Sequence, residues 1–119
     1  MAAPNLVSPT TIIGKTAGYA VGSGLATALS NSAASGKVFK VNSVYCANIS
    51  GTASVDVTLV YNDGTTGFDL AYLIAVPAKA TQVLASRETY FYLEEGDSLQ
   101  AVASSAGGLE LVIGYEEIS

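Results

Sequence analysis

The feature that most constrains this chain is a two-residue alternation of apolar and polar side chains from residue 37 to the C-terminus. In one run the apolar members are Ala53, Val55, Val57, Leu59 and Tyr61. Successive side chains of a strand point to opposite faces of a sheet, so this period predicts strands with one buried face. No stretch carries a competing helical period, and the chain is predicted to be all-β.

A hairpin signal follows that run. Residues 62–64 read Asn-Asp-Gly, which tolerate the positive φ angles of a tight turn. The returning strand is apolar on both faces, with Phe68, Leu70, Tyr72, Ile74 and Val76 on one side and Ala71, Leu73 and Ala75 on the other. We therefore expect this strand to be covered on both sides. Pro77 should end it, because proline lacks a ladder donor.

The other strands are short and evenly spaced. A change of phase at residues 42–43 predicts a β-bulge, after which Val44, Cys46 and Asn48 share one face. Further strands are predicted at 81–85, 89–93, 98–103 and from 109 onward, with a turn at 94–97 in which Gly96 takes a positive φ. Six or seven strands at roughly ten-residue spacing are typical of an antiparallel β-sandwich or jelly roll.

The first 36 residues differ in character. They hold one charged side chain, Lys15, among Ala, Ser, Thr and Gly, and residues 30–36 read as a loop. We predict an extended N-terminal arm over 1–36 that orders against a neighbour, followed by a sandwich domain over 37–119. The alternative is that this region adds one or two strands to its own sheet, starting from Thr11-Ile12-Ile13.

Charge is scarce in this sequence. Only 13% of the 119 residues are charged and the net charge is −5, against about 25% charged residues in ordinary soluble domains. Interface cores are depleted in charge, so much of the surface is predicted to be shared with other subunits. The five basic residues are scattered, which argues against nucleic acid and anionic membranes as partners.

No targeting signal or membrane span is apparent. The N-terminus lacks a basic stretch followed by an apolar one, and no run approaches the roughly 18 apolar residues of a spanning helix. We expect a soluble protein made in the cytoplasm.

Reactive side chains are nearly absent. The chain has no His and one Cys, which rules out zinc sites of His and Cys and an internal disulfide. No Ser-x-x-Lys or Gly-x-Ser-x-Gly motif occurs, and Cys46 fits a small buried hydrophobe. No catalytic, cofactor or metal residue is therefore predicted, and the protein is expected not to be an enzyme.

A structural calcium site is a weaker possibility that stays open. Acidic residues gather in turns and near the C-terminus, namely Asp63, Glu94, Glu95, Asp97, Glu116 and Glu117. Carboxylates in turns can hold calcium, although no Asp-x-Asp-x-Asp-Gly spacing occurs. Tyrosine is the enriched aromatic, with seven residues and no Trp, and it is expected to serve core and interface packing.

The chain as a whole resembles small virion structural proteins of tailed bacteriophages. The segments that carry the resemblance are TIIGKT at 11–16, KVFKVNSV at 37–44, NISGT at 48–52, YLEEGDSL at 92–99 and GYEEI at 114–118. None of these motifs is catalytic, and the likeness lies in their succession along the chain.

This resemblance implies a many-copy β-sandwich subunit of the virion that decorates or cements the capsid. It also implies a homo-oligomer, with a trimer favoured, that contacts the major capsid protein or other virion proteins. A neck, tail or baseplate position is the alternative. A carbohydrate- or receptor-binding module, using Tyr90 or Tyr92, is a further alternative from another class of function.

Overall fold

The first and last strands of the chain lie side by side in one of two antiparallel sheets. The computed structural model describes residues 4–119. Its strands are β1 (Ile12–Val21), β2 (Ala26–Ser30), β3 (Val38–Asn48), β4 (Val55–Asn62), β5 (Gly67–Val76), β6 (Thr81–Ala85), β7 (Phe91–Leu93), β8 (Ser98–Ala103) and β9 (Leu109–Ile118). A single turn of 3₁₀-helix, Arg87–Thr89, separates β6 from β7. The predicted all-β sandwich is confirmed.

The chain crosses repeatedly between the two sheets. The first sheet has the order β1-β9-β3-β6, with β7 also paired to β3, and the second sheet has the order β2-β8-β4-β5. Hydrogen-bonded neighbours are therefore mostly distant in sequence. Along residues 4–119, the edges of the two sheets are β1, the β6/β7 side, β2 and β5.

The core lies between the sheets and follows the alternation seen in the sequence. Val57 and Leu59 of β4 and Leu111 and Ile113 of β9 are fully buried, each contributing about 1.5–3 kcal/mol of transfer free energy. The predicted bulge is confirmed, because the pairing of β3 with β9 shifts between Val41 and Ser43. Beyond that shift lie the other predicted core positions, Val44, Cys46 and Asn48, all buried.

Two buried asparagines fix opposite ends of β3. The Asn48 amide donates to the carbonyls of Ala53 and Val76. The Asn31 amide donates to the carbonyls of Lys37 and Leu93. Each amide satisfies loop carbonyls that are shielded from water, which is how a sandwich can bury the ends of its strands.

A separate arm was predicted over residues 1–36. In the structure, residues 12–30 contain two strands of the sandwich instead. β1 pairs with β9 over ten residues, and β2 pairs with β8. These residues therefore belong to the sandwich, as the alternative prediction held. Residues 1–3 lie outside the described part of the chain. The physical reason is that both strands cover the core, since Val21 of β1 is buried and Leu29 of β2 packs against the core.

The expectation that β5 is covered on both sides is wrong within one chain. Only Val76 of this strand is buried, because β5 lies at the edge of the second sheet. Its pairing with β4 also shifts twice, around Thr58 and between Leu59 and Val60, which breaks the alternation read from the sequence. Pro77 ends the strand as predicted.

The strand predicted at 89–93 begins at Phe91. The backbone N–H of Thr89 donates to the Ser86 carbonyl at 2.9 Å and closes the 3₁₀ turn, and the Thr89 hydroxyl accepts from the backbone N–H of Ser86, also at 2.9 Å. The β6/β7 edge is therefore interrupted at its middle. The described residues contain no helix long and apolar enough to cross a membrane.

Gly96 has a φ of +88°, as its place in the turn predicts. No atom lies within 4 Å of the position a Cβ would take, so a larger side chain would be strained by the backbone alone. We expect Gly96→Val to lower the free energy of unfolding by about 1–3 kcal/mol, measured by urea denaturation. Gly24→Val is the control, since Gly24 also has open space but no positive φ; an equal loss in both variants would contradict this explanation.

Candidate interaction surfaces

Three of the four turn carboxylates considered for calcium accept hydrogen bonds within the chain, namely those of Asp63, Glu95 and Asp97. The Asp97 carboxylate accepts from the Tyr61 hydroxyl and from the Glu94 backbone N–H, both at 2.8 Å. The Glu95 carboxylate accepts from the backbone N–H of Gly36, and Asp63 accepts from Thr65 and Thr66. Across residues 4–119 there is no group of three or more His, Cys, Asp or Glu side chains placed to hold a metal ion.

Tyr61 and Asp97 join the second sheet to the turn before β8. Burial, together with the hydrogen bond to the Asp97 carboxylate, raises the pKa of Tyr61 to about 12. The phenol thus stays protonated and donating at ordinary pH. This contact explains the acidic turn structurally, without a ligand.

Glu117 is the most buried carboxylate outside that turn. It lies on β9 with 8% of its surface exposed and accepts from two lysines. Lys15 Nζ lies 3.0 Å from one carboxylate oxygen, and Lys37 Nζ lies 2.6 Å from the other. The hydrogen bonds from Lys37 and then Lys15 lower the pKa of Glu117 below its ordinary 4.5. The cluster links the N-terminal third of the chain to its last strand.

Cys46 carries no reactive character. Its side chain is fully buried in the core, and this burial raises the pKa of the thiol to about 11. The thiolate, which is the nucleophilic form, is therefore scarce at neutral pH. Cys46 packs as a small apolar residue, as the sequence predicted.

The largest group of exposed apolar side chains lies on β5, at the edge of the second sheet. We call the exposed side chains and free backbone groups of this strand the β5 edge. Five of the fifteen exposed large apolar residues among the described positions lie on this strand: Phe68, Leu70, Tyr72, Leu73 and Ile74. Asp69 is its one charged residue. Long, apolar, exposed edge strands are rare in monomers because their free backbone groups and side chains invite pairing.

A second apolar area lies on the solvent face of the first sheet. Tyr45 pairs with Val112 on one side and with Val83 on the other, and all three are more than two-fifths exposed. Beside this row, Gly18 and Ala20 leave a shallow depression of about 310 Å³ bordered by Glu110. A flat face with small residues suits contact with another flat surface.

A third area combines aromatic rings with a cation. Tyr90 and Tyr92 meet edge to face with ring centroids 5.7 Å apart, and Lys40 Nζ lies 4.4 Å from the Tyr90 centroid. Tyr90 is 46% exposed. Next to Tyr92, the side chains of Pro4, Leu6, Val38 and Glu94 line a groove of about 250 Å³.

The tyrosines divide between packing and exposure. Tyr19, Tyr61 and Tyr115 pack against the core, whereas Tyr45, Tyr72 and Tyr90 are exposed. The packing part of the prediction is thus confirmed for the first group, and an interface role for the second stays a prediction. The sequence did not single out Glu117 with its two lysines, because contacts 80 and 102 residues apart leave no local signal.

Comparison with known proteins finds similar folds but no similar sequences. No family model matches this chain, and a search of curated proteins gave no significant match. Among solved structures, a chain of the acid-stable capsid of the Helicobacter pylori bacteriophage KHP30 superposes with a TM-score of 0.56 at 12% identity. That alignment covers 94% of this chain and 90% of the other.

A second similar structure is a subunit of Bacillus endospore appendages, described as disulfide-linked pili. Its TM-score is 0.53 at 16% identity, over 92% of this chain and 88% of that one. A pentameric capsid protein from metagenomic phage sequences superposes more loosely, with a TM-score of 0.44 at 18% identity over 87% of this chain and 60% of that chain. At such identities the first two likenesses show a shared sandwich fold.

The Glu117 cluster should make stability depend on acid pH. Because folding lowers the pKa of Glu117, its stabilising contribution is complete above pH 4.5 and is lost as pH falls through the lower folded-state pKa. We expect Glu117→Gln to cost about 1 kcal/mol at neutral pH, since both lysines are partly exposed. Melting temperatures measured between pH 7 and pH 3 should converge for wild type and variant.

Glu110→Gln is the matched control on the same strand, because Glu110 is exposed. This control should follow the wild-type curve. A constant difference between Glu117→Gln and wild type down to the lowest pH would contradict the assignment.

Proposed function

We propose that this chain is a non-enzymatic structural subunit of a tailed-phage virion, made in the host cytoplasm and incorporated into the particle. In the specific form proposed, it is a capsid decoration or cement protein. It self-associates, with a trimer as the proposed state, and contacts the major capsid protein.

The observation that carries the proposal is the β5 edge. A small acidic domain that leaves Phe68, Leu70 and Tyr72 between about half and two-thirds exposed on one edge strand invites pairing with a partner that covers them. The low charge of the chain agrees with this need. An enzyme or a protein that binds small molecules would instead be expected to show a pocket with convergent polar groups.

The strand order supports the same class. Each sheet takes strands alternately from both halves of the chain, and the first long strand pairs with the last, so we infer a jelly-roll arrangement. Jelly rolls are widespread in viral capsids and also in lectins. The likeness of fold to a chain of a phage capsid is consistent with the capsid side of that choice.

A cement role needs no catalytic site. A subunit that binds only the assembled shell stabilises it by mass action. Several contacts made at once multiply modest affinities, provided that the geometry allows simultaneous engagement. The β5 edge belongs to the second sheet and the other two areas belong to the first, so one subunit can touch a copy of itself and a shell protein together.

Copy number in the purified virion tests the capsid position. We expect quantitative mass spectrometry to find this chain at a level comparable with the major capsid protein, because decoration follows the capsid lattice. A level comparable with single-ring neck, tail or baseplate proteins would place it there and overturn the decoration form. Complete absence from the virion would overturn the proposal.

A carbohydrate-binding module is the second candidate, and the Tyr90–Tyr92–Lys40 cluster favours it. Exposed aromatic rings beside polar groups are the usual platform for sugar rings, although the preferred stacking residue, Trp, is absent. If this function holds, glycan-array signals should fall at least about tenfold, or about 1.4 kcal/mol, in Tyr90→Ala. Tyr45→Ala is the control, because Tyr45 is also exposed but lies outside this cluster and outside the β5 edge; an array without signals for the wild type would sink this candidate.

A further inference from the structure

The β5 edge has the register shifts of its pairing with β4 but lacks the short length or interruption of β2 and the β6/β7 edge. Edge strands are commonly guarded by lysine, proline, bulges, short length or interruption. β2 is only five residues long, and the β6/β7 edge is interrupted by the 3₁₀ turn. β5 is ten residues long and has Asp69 as its one charge. Its exposed side is therefore the place where a partner strand fits.

The same chain offers a second long edge. β1 is also ten residues long, pairs with β9 without any shift of register, and has no neighbour on its other side among the described residues. Ile12 and Ile13 are about half exposed there. Lys15 is its one charged residue, 43% exposed at the side chain although bound to Glu117.

We propose that the β5 edge of one copy packs along the β1 edge of a second copy of this chain. The lone acidic residue of one edge, Asp69, then meets the lone basic residue of the other, Lys15. Contact between two β5 edges would supply no positive charge, and contact between two β1 edges would supply no negative one. This inference rests on the proposed function and deepens it by naming the surface of self-association.

The irregular register of β5 shapes this contact. Leu73 has a φ of +50°, and its backbone N–H donates to the Thr58 hydroxyl instead of a strand carbonyl. Backbone pairing with β1 is thereby limited to short stretches, and apolar side chains supply most of the contact. Because two different edges meet, the arrangement is head-to-tail, and it closes into a ring when the rotation per subunit allows. A trimer is one such ring.

Cross-linking of single-cysteine variants tests which edges meet. The Asp69–Lys15 contact requires the two strands to run parallel, and Thr16 and Tyr72, both exposed and near the middles of β1 and β5, then approach each other. We expect a mixture of Thr16→Cys and Tyr72→Cys to form mixed dimers with a short bismaleimide, above the level of either variant alone. The native Cys46 does not compete, because it is fully buried.

Ser105→Cys mixed with Tyr72→Cys is the background control, since Ser105 is exposed in the turn between β8 and β9. Dimers of Tyr72→Cys with itself in excess of mixed dimers would overturn the β1 partner. Equal yields in all mixtures would overturn the contact altogether.

Light scattering of the full chain over a concentration series tests the strength of the contact. We expect Leu70→Asp to weaken self-association at least about tenfold, which is about 1.4 kcal/mol. Val83→Asp should leave it unchanged, because Val83 is as exposed as Leu70 but lies on β6, at the opposite edge of the first sheet from β1. Far-ultraviolet circular dichroism would confirm that both variants fold.

Failure of this inference is distinguishable from failure of the proposed function. A wild-type chain that stays monomeric at every concentration overturns the β5–β1 contact, whatever its copy number in virions. Equal weakening by Leu70→Asp and Val83→Asp would also overturn it.

Discussion

The position of β9 between β1 and β3 is the constraint on which the rest of the sandwich depends. β9 is hydrogen-bonded to both neighbours along almost its whole length, so the last strand of the chain fixes the position of the first strand. Leu109, Leu111 and Ile113 of this strand point into the core and are buried. β6 and β7 pair with the other side of β3, and the other four strands form the second sheet. In that sheet, β5 is left at an edge with one neighbour only.

Because β5 lies at the edge of its sheet, its exposed apolar side chains are available for contact with another molecule. Phe68, Leu70 and Tyr72 of this edge strand remain exposed to water in the single chain. The free energy of transferring them, about 25 cal/mol per Å² of apolar surface, becomes available only when another molecule covers them. This transfer free energy stabilises both proposed assemblies, the virion subunit and the head-to-tail oligomer.

Polar chemistry in this protein is used for structure. Asp97 anchors Tyr61 and the turn before β8, Asn31 and Asn48 satisfy loop carbonyls, and Glu117 collects two lysines. No buried side-chain nitrogen or oxygen in the described residues lacks a hydrogen-bond partner.

The sequence by itself determined the all-β class, the bulge before Ser43, the turn at Gly96 and the buried face of β4, because these depend on period-two alternation and on local backbone preferences. It also led to Cys46 being assigned to the core. Only the tertiary structure decided that β1 and β2 join the sheets, that Glu117 meets Lys15 and Lys37, and that β5 is exposed. Strand order is set by contacts between residues far apart in the chain, and alternation shows that a face is apolar without showing what lies against it.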